Sequence, residues 1–250
     1  MDAAPPRHSD RTLSIVMPVY NEAATWRSLL DRVLAVPLPG WRKEVILVDD
    51  GSTDGTQDEL RRFAGTLPAG GPSPDAVVRV VFLEKNRGKG AALRAGFAQA
   101  TGDVVVVQDA DLEYDPADFP KVLAPFDDPR TMVVYGSRFL VPQSEPGPLK
   151  TVLANKFLTF LSNLATGQRI TDMETCYKAF RREVIQALPL EQERFGFEPE
   201  VTARVAQRGL TIREVPIAYH ARSRREGKKI GWKDGLRAIH CILKYRVKRK

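Results

Sequence analysis

Val104-Val105-Val106-Val107-Gln108-Asp109-Ala110-Asp111-Leu112-Glu113 is the stretch on which the reading of this chain turns. Four valines in a row, with no polar interruption, fit a strand covered on both faces, as in a parallel sheet. They stop at three acidic side chains spaced two apart. At the carboxyl end of a parallel strand those carboxylates would stand where open α/β sheets bind ligands. Carboxylates held close together repel unless a cation lies between them, and a hard divalent metal suits oxygen ligands. A strand end followed by a polar turn accounts for the same residues, so the neighbouring segments must decide.

Working outward, the same grammar repeats. Leu13-Ser14-Ile15-Val16-Met17-Pro18 reads as a first buried strand, followed by the loop Val19-Tyr20-Asn21-Glu22 and a helix marked by Trp26, Leu29, Leu30 and Val33. Glu44-Val45-Ile46-Leu47-Val48 is a second strand that ends in Asp49-Asp50-Gly51-Ser52-Thr53-Asp54-Gly55-Thr56, where glycines permit tight turns and Ser, Thr or Asp can cap the next helix. Val77 to Leu83 is a third strand, followed by Asn86-Arg87-Gly88-Lys89-Gly90 and a helix from Ala91 to Ala100. Three alternations of strand and helix before the fourth strand predict βαβ units and a mostly parallel sheet. Further on, Met132 to Arg138 reads as a strand and Lys150 to Ala165 as an unusually apolar helix. Ala179-Phe180 reads as a short strand, Glu198 to Gln207 as a helix, and Thr211 to Ile217 as an edge strand.

Composition bounds the possibilities. With 43% hydrophobic and 28% charged residues over 250 positions, the chain is expected to be a globular domain of ordinary core size. No run approaches the roughly 18 apolar residues of a membrane-spanning helix. The first residues, Met1 to His8, lack the apolar core of a secretory signal, and Cys176 and Cys241 have no metal-like or disulfide framework around them. A reducing, cytoplasmic setting is the expectation. Residues 1–11 are expected to be disordered, residues 12–220 to form the main domain, and residues 221–250 a basic loop and tail. From Arg222 to Lys250 there are twelve Lys/Arg against Glu226 and Asp234, or +10; the net charge of +7 leaves −3 for the remainder.

Three strand-end motifs fall in order on one sheet edge: Pro18-Val19-Tyr20-Asn21-Glu22, Asp49-Asp50-Gly51-Ser52 and Asp109-Ala110-Asp111. Turn and cap chemistry explains each of them singly but not their joint order. With Asn86-Arg87-Gly88-Lys89-Gly90 and Tyr135-Gly136-Ser137-Arg138, they make residues 13 to 140 resemble the inverting GT-A glycosyltransferases of family 2. Within these the likeness is to the dolichyl-phosphate mannose synthases and bacterial polyprenyl-phosphate sugar transferases. The resemblance implies a GT-A, Rossmann-like sheet with helices on both faces. It also implies a nucleotide-sugar site in which Pro18, Tyr20, Glu22 and Val48 line the base and ribose pocket. Asp50 would accept from a ring N–H of the base, and Ala110 would lie beside the nucleotide. Asp109 would contact ribose or metal, and Asp111 would bind Mg²⁺ or Mn²⁺ on the diphosphate. Glu113, where family members often carry Gln, would be a further metal ligand. The glycines of Asn86 to Gly90 are expected to permit close packing beside the nucleotide, with Lys89 either a ligand contact or a solvated charge.

Arg138 follows a strand and is expected to meet a phosphate, as part of both the catalytic and the nucleotide-sugar sets. Arg222-Ser223-Arg224-Arg225-Glu226-Gly227-Lys228-Lys229 resembles the Arg-x-x-Gly-x-Ser-Lys loop of the dolichyl-phosphate enzymes, with Lys228 where Ser is expected. Arg222 and Lys229 are its candidate phosphate contacts. The implied donor is GDP-mannose or UDP-glucose, and the implied acceptor a polyprenyl phosphate. Asp172 and Glu200 are read as structural acids. The tail places Leu236, Ile239, Ile242, Leu243 and Val247 at near-helical spacing among Arg237, Lys244 and Arg246. Two readings stand for it: a basic amphipathic helix on an anionic membrane surface, or a helix docked on the domain. Many members of the resembled family continue into membrane helices here; for this chain peripheral association with the cytoplasmic face is expected. A transferase with a soluble acceptor and a non-catalytic nucleotide-sugar binder are the rival readings. The intact acidic set disfavours the second, and the acidic cleft without an aromatic stacking platform disfavours nucleic acid as partner.

Overall fold

The computed structural model describes residues 11–68, 73, 75–143, 148–194, 196–221 and 232–247. Its first half alternates as expected: β1 (Arg11–Val19), α1 (Trp26–Ala35), β2 (Trp41–Asp49), α2 (Thr56–Thr66), β3 (Ala76–Phe82), α3 (Lys89–Gln99) and β4 (Val104–Val107). A short helical stretch containing α4 (Phe119–Leu123) leads to β5 (Val133–Ser137). Then come α5 (Leu149–Thr166), β6 (Lys178–Arg181), α6 (Arg182–Ala187), α7 (Phe197–Gln207), β7 (Ile212–Pro216) and α8 (Trp232–Tyr245). The segment expected to be disordered lies outside the described residues except for Arg11, which opens β1.

The seven strands form one sheet in the order β3-β2-β1-β4-β6-β5-β7. Every pairing is parallel except those of β6, which runs antiparallel to β4 and β5. Residues Leu13 to Met17 of β1 and all four valines of β4 are buried in succession, so both faces of these strands are covered. Chain order moves outward from β1 through β2 to β3 on one side, then returns to β4 on the other. That reversal makes a topological switch point at the carboxyl ends of β1 and β4, the crevice where open α/β sheets bind ligands. Val16 pairs with Val107 and Val19 with Asp49, so the three acidic or polar loops emerge at one level.

Three features were not foreseen. The antiparallel β6 is only four residues long and carries no periodicity that would reveal its direction. The six-residue α6 follows it directly and buries Val184 and Ile185. The apolar helix α5 holds the larger surprise: it buries Leu158, Thr159 and Ser162 but leaves most of its large apolar side chains exposed.

Candidate active site

The loops after β1 and β2 hold each other in place. Asn21 N–H donates to Ser52 Oγ (3.0 Å), Thr53 N–H to Asn21 Oδ1 (2.8 Å) and Glu22 N–H to Thr56 Oγ1 (3.1 Å). Asp49 is fully buried and accepts from Gln57 Nε2 (2.6 Å) and Ser52 N–H (3.3 Å), so its work is to shape the turn. Pro18, Tyr20 and Glu22 are half-buried at the end of β1, and the Glu22 carboxylate accepts from Thr25 Oγ1 at 2.7 Å.

Two expectations for this pocket need correcting, those for Val48 and the glycine loop, and that for Asp50 is narrowed. Val48 does not open into a cleft: its side chain is wholly buried against α3, where Gly96 lets the helix approach. Asp50 is also buried, and its oxygens already accept from Arg87 N–H (2.8 Å), Gly88 N–H (2.7 Å) and Asn86 Nδ2 (3.0 Å). A carboxylate has about four acceptor positions, so a base N–H could only be a fourth partner. Burial is the largest influence on Asp50 and raises its pKa despite those donors. Finally, the glycines of the 86–90 loop serve the protein's own backbone. A Cβ on Gly88 would lie 2.6 Å from Glu193 O, and one on Gly90 would overlap Gln192 O.

At the end of β4, Tyr177 OH donates to Gln108 Oε1 (2.6 Å), and Asp109 N–H donates to Cys176 Sγ (3.2 Å). These contacts fix the direction in which the strand leaves the sheet. Ala110 is buried, whereas Asp109 and Asp111 are half-buried. Leu112 takes φ 62°, a left-handed conformation uncommon for a bulky residue. Strained backbone of this kind persists only where the surroundings enforce it, and it concentrates at functional sites. Asp111 Oδ1 accepts Glu113 N–H at 3.1 Å, which closes the turn. Glu113 is engaged on two sides: its carbonyl accepts His220 N–H (2.9 Å), and its carboxylate shares a hydrogen bond with the Tyr219 phenol.

Among the described residues no three Asp, Glu, His or Cys side chains gather as a cage for one ion. The expected ligand set of Asp109, Asp111 and Glu113 is therefore not assembled as a three-carboxylate cage. The donor chemistry still fits Mg²⁺ or Mn²⁺, since a small hard cation is commonly held by one or two carboxylates, waters and substrate phosphates. Asp109 and Asp111 would be the carboxylates.

Beneath this edge lies a network of buried charges. Lys89 Nζ bridges Asp109 Oδ2 (2.9 Å) and Glu198 Oε1 (3.0 Å), so it is neither a solvated charge nor a waiting ligand contact. Burial works to lower its pKa, but the two carboxylates more than offset this and the ammonium is held well above its ordinary value. Arg138 is paired at two points with the fully buried Asp172, at 2.7 Å each, and lies over the Tyr219 ring. The guanidinium expected to meet a phosphate thus reaches the site with its charge already compensated. The loop between these pairs is pinned from several sides. Met173 N–H donates to Thr159 Oγ1 (3.0 Å), Cys176 N–H to Tyr114 OH (3.0 Å), and Lys178 Nζ to Met173 O (2.8 Å) and Thr175 O. Glu174, in its centre, keeps Oε1 buried without a hydrogen-bond partner, and burial raises its pKa to about 7. Glu198, Glu174 and Lys178 were not singled out from the sequence, because no spacing relates Lys89 to a helix more than a hundred residues later. Glu200 is structural: it accepts Glu191 N–H (2.9 Å) and Gln192 N–H (2.8 Å). Arg222 and Lys229 lie outside the described residues; Ala221 is the last described position before them.

Residues 14–188 match the family model for glycosyl transferase family 2. The chain belongs to that family. Among curated relatives of this family 2 chain, the undecaprenyl-phosphate 4-deoxy-4-formamido-L-arabinose transferase of Pectobacterium atrosepticum is 32% identical over 208 residues, covering 81% of this chain and 58% of its own length. The enzyme of the same name from Klebsiella pneumoniae is 32% identical over 213 residues, covering 85% and 61%. The chain therefore spans about three fifths of the length of these relatives. Among solved structures, glucosyl-3-phosphoglycerate synthase from Mycobacterium tuberculosis in complex with uridine diphosphate superposes with a TM-score of 0.71 at 25% identity, covering 95% of this chain and 80% of that one. The same protein with Mn²⁺, uridine diphosphate and glucosyl-3-phosphoglycerate superposes at 0.70 with 24% identity, covering 95% and 81%. The fold is GT-A, and residues 14–188 form a glycosyl transferase family 2 domain.

Proposed function

We propose that this glycosyltransferase moves a sugar from a nucleoside diphosphate sugar to the phosphate of a polyprenyl lipid, with inversion at the anomeric carbon and with Mg²⁺ or Mn²⁺. The observation that carries the reading is the acidic turn Asp109 to Glu113, strained at Leu112, at the switch point between β1 and β4. The relatives' printed names, which specify undecaprenyl phosphate as acceptor, support the lipid. A hexose from GDP-mannose or UDP-glucose is the expected cargo, and the formamido-arabinose of the relatives is the variant to test beside it.

In this reading a phosphate oxygen of the acceptor forms a bond to the anomeric carbon while the bond to the nucleoside diphosphate breaks. A phosphate monoester has a second pKa of about 6 and is largely ionised at neutral pH, so it needs little help from a base. Asp111 with Asp109 would hold the metal, whose service is to neutralise charge on the departing diphosphate. Lys89 orients the Asp109 carboxylate through their 2.9 Å ion pair. Arg138, fixed by Asp172, presents its remaining N–H groups to anionic substrate, and Arg222 and Lys229 would add positive charge around both phosphates. The protein would work at the cytoplasmic face of a membrane, associated peripherally. Among the described residues no helix is long and apolar enough to cross a bilayer.

The test is a thermal-shift panel of UDP-, GDP- and dTDP-sugars with Mn²⁺, followed by transfer assays on the nucleotide that binds. Product extractable with undecaprenyl phosphate, and lost in Asp111→Ala, is expected. A second reading, a soluble phosphorylated acceptor, is favoured by the phosphoglycerate product bound in the structural neighbour. Turnover with 3-phosphoglycerate but not with undecaprenyl phosphate would select it.

A further inference from the structure

The exposed large apolar side chains among the described residues are not scattered. Five of them, Leu149, Leu153, Phe157, Phe160 and Leu164, lie on α5 and are 54–72% exposed. Their spacing of four, four, three and four residues puts them on one face of the helix, in a row about 22 Å long. Two more, Leu140 and Val141, directly follow Arg138 and Phe139, and the last two, Leu236 and Leu243, are on α8, which packs beside α5. An exposed apolar row of this length marks a place of contact.

The sequence directs attention to α8 as the amphipathic helix, but its apolar face is largely spent within the protein. Ala238, Cys241, Ile242 and Tyr245 are buried, Gln207 Nε2 donates to Tyr245 O (2.7 Å), and Val247 N–H donates to Ala165 O (3.0 Å). The helix therefore serves mainly to brace α5 and α7. What remains outward is mainly the α5 row, with Leu236 and Leu243 of α8 exposed as well.

We infer that the α5 row, with Leu140 and Val141 beside Arg138, is the surface by which this protein lies on an anionic bilayer. This deepens the reading of a polyprenyl-phosphate acceptor and rests on it for its purpose. Charge selects the occupant. Helix α5 carries Lys150 and Lys156 and no acidic residue, exposed Arg237 lies on the helix beside it and exposed Arg246 just past its end, and the chain from Arg222 to Lys250 is +10. Two copies joined along α5 would bring those like charges together, whereas anionic headgroups would take both the apolar row and its basic surroundings. Position supplies the second argument. Lys156 Nζ lies 5.5 Å from the Phe139 ring centroid, and Thr159 of α5 holds the loop that contains Asp172, the partner of Arg138. A bilayer against α5 would meet the protein beside the strand end that carries Arg138. The phosphate of a lipid acceptor sits at headgroup depth, so it would arrive without leaving its membrane.

The experiment uses the full chain and its Leu153→Gln/Phe157→Gln/Phe160→Gln variant, which keeps every charge. Both are floated with vesicles of phosphatidylglycerol and phosphatidylcholine, and with phosphatidylcholine alone. Nucleotide binding is followed by the UDP-sugar thermal shift with Mn²⁺, and mass in solution by light scattering. Wild type is expected to bind the anionic vesicles, more weakly at high salt, and the variant to bind at least about tenfold less with an unchanged nucleotide shift. Equal flotation of both proteins, or no flotation of wild type, would overturn the inference. So would a wild-type dimer that the variant converts to monomer, since a second copy would then cover the row. If flotation behaves as expected while undecaprenyl phosphate supports no transfer in detergent, the surface stands and the lipid-acceptor reading fails.

Discussion

Arg138 and Asp172 form a two-point ion pair inside the protein, Nε to Oδ2 and a terminal guanidinium nitrogen to Oδ1, each at 2.7 Å. The backbone N–H of Arg138 donates to the same carboxylate at 3.0 Å, so Asp172 orients both the side chain and the strand end. Removing one member of a buried pair leaves an uncompensated charge and typically costs about 3–5 kcal/mol. Asp172→Ala is expected to lower the unfolding free energy measured in urea by that order and to abolish transfer. Arg138→Met with Asp172→Leu should recover most of the stability but none of the activity. An Asp172→Ala protein as stable as wild type would show that the pair does not hold this loop.

Lys89 is expected to matter as much for stability as for binding, because it is the shared counter-charge of Asp109 and Glu198. Burial acts to raise the Glu198 pKa, but the charges of Lys89 and Lys178 more than offset it and hold the carboxyl below its ordinary range. A carboxyl with a depressed folded-state pKa adds stability that is present above the unfolded value and is lost as pH falls through the folded one. Lys89→Met should remove that contribution. The gap between wild type and variant in urea unfolding is expected to be a few kcal/mol at pH 7, to hold down to the unfolded value of 4.5, and to shrink as pH falls further towards 3. Mn²⁺-dependent nucleotide affinity should fall as well, since Asp109 loses the group that orients it. A gap that stays constant across this range would reject the electrostatic account.

What could be read from the sequence was whatever is local in the chain. The run Val104 to Val107 and its acidic end announce a buried parallel strand and a ligand edge because burial on both faces demands consecutive apolar residues. Asp54 is legible as a turn residue, since it accepts Thr56 N–H at 3.0 Å, but Asn21 and Ser52 tie two loops distant in sequence, and Gly55 rather than Ser, Thr or Asp stands at the N-cap of α2. The direction of β6 was not legible, because a four-residue strand carries no pattern that distinguishes parallel from antiparallel pairing. Nor was the Lys89–Glu198 pair, since long-range ion pairs leave no spacing in sequence. Val48 illustrates the opposite hazard. Its place at a motif suggested a pocket wall, but strand alternation and the close approach of Gly96 put it in the core. Helix α5 misleads for a related reason: an apolar helix is ordinarily a buried one, and only the fold reveals which face has no protein against it.

Gly51 is the position where the turn after β2 tolerates least. Its φ is 68°, and an added Cβ would lie 2.7 Å from Lys85 C and Asn86 N, both backbone atoms. Gly51→Ala therefore combines a left-handed conformation with a clash against the loop that Asp50 holds. Gly55 has φ 98° but open space around its Cβ position, so Gly55→Ala carries the conformational cost alone. The expected losses are about 1 kcal/mol for Gly55→Ala and about 2–4 kcal/mol for Gly51→Ala. Only Gly51→Ala should also weaken the nucleotide-dependent thermal shift. Equal effects of the two substitutions would mean that the approach of residues 85–86 is not what requires glycine.

Glu174 provides a pH test on a single atom's surroundings. Burial is the main cause that lifts its carboxyl to about 7, the neighbouring Glu198 adds to the rise, and Lys178 and Arg138 oppose it. The folded state therefore retains a proton that the unfolded chain releases near its ordinary value of 4.5. Between those two pH values the native state binds more protons, so this group's contribution to stability declines as pH rises from about 4.5 to about 7. Glu174→Gln keeps the shape and cannot ionise. It is expected to match wild type near pH 5 and to be more stable at pH 8, by about 1 kcal/mol or more. Lys178, lowered by burial to about 8, acts in the higher window between that value and 10.5, so it does not mimic the trend below pH 7. Melting temperatures of both proteins from pH 5 to 8 measure the difference. A variant less stable than wild type at pH 8 would mean that Glu174 is ionised in the fold and that its charge is needed by Lys178 or Arg138.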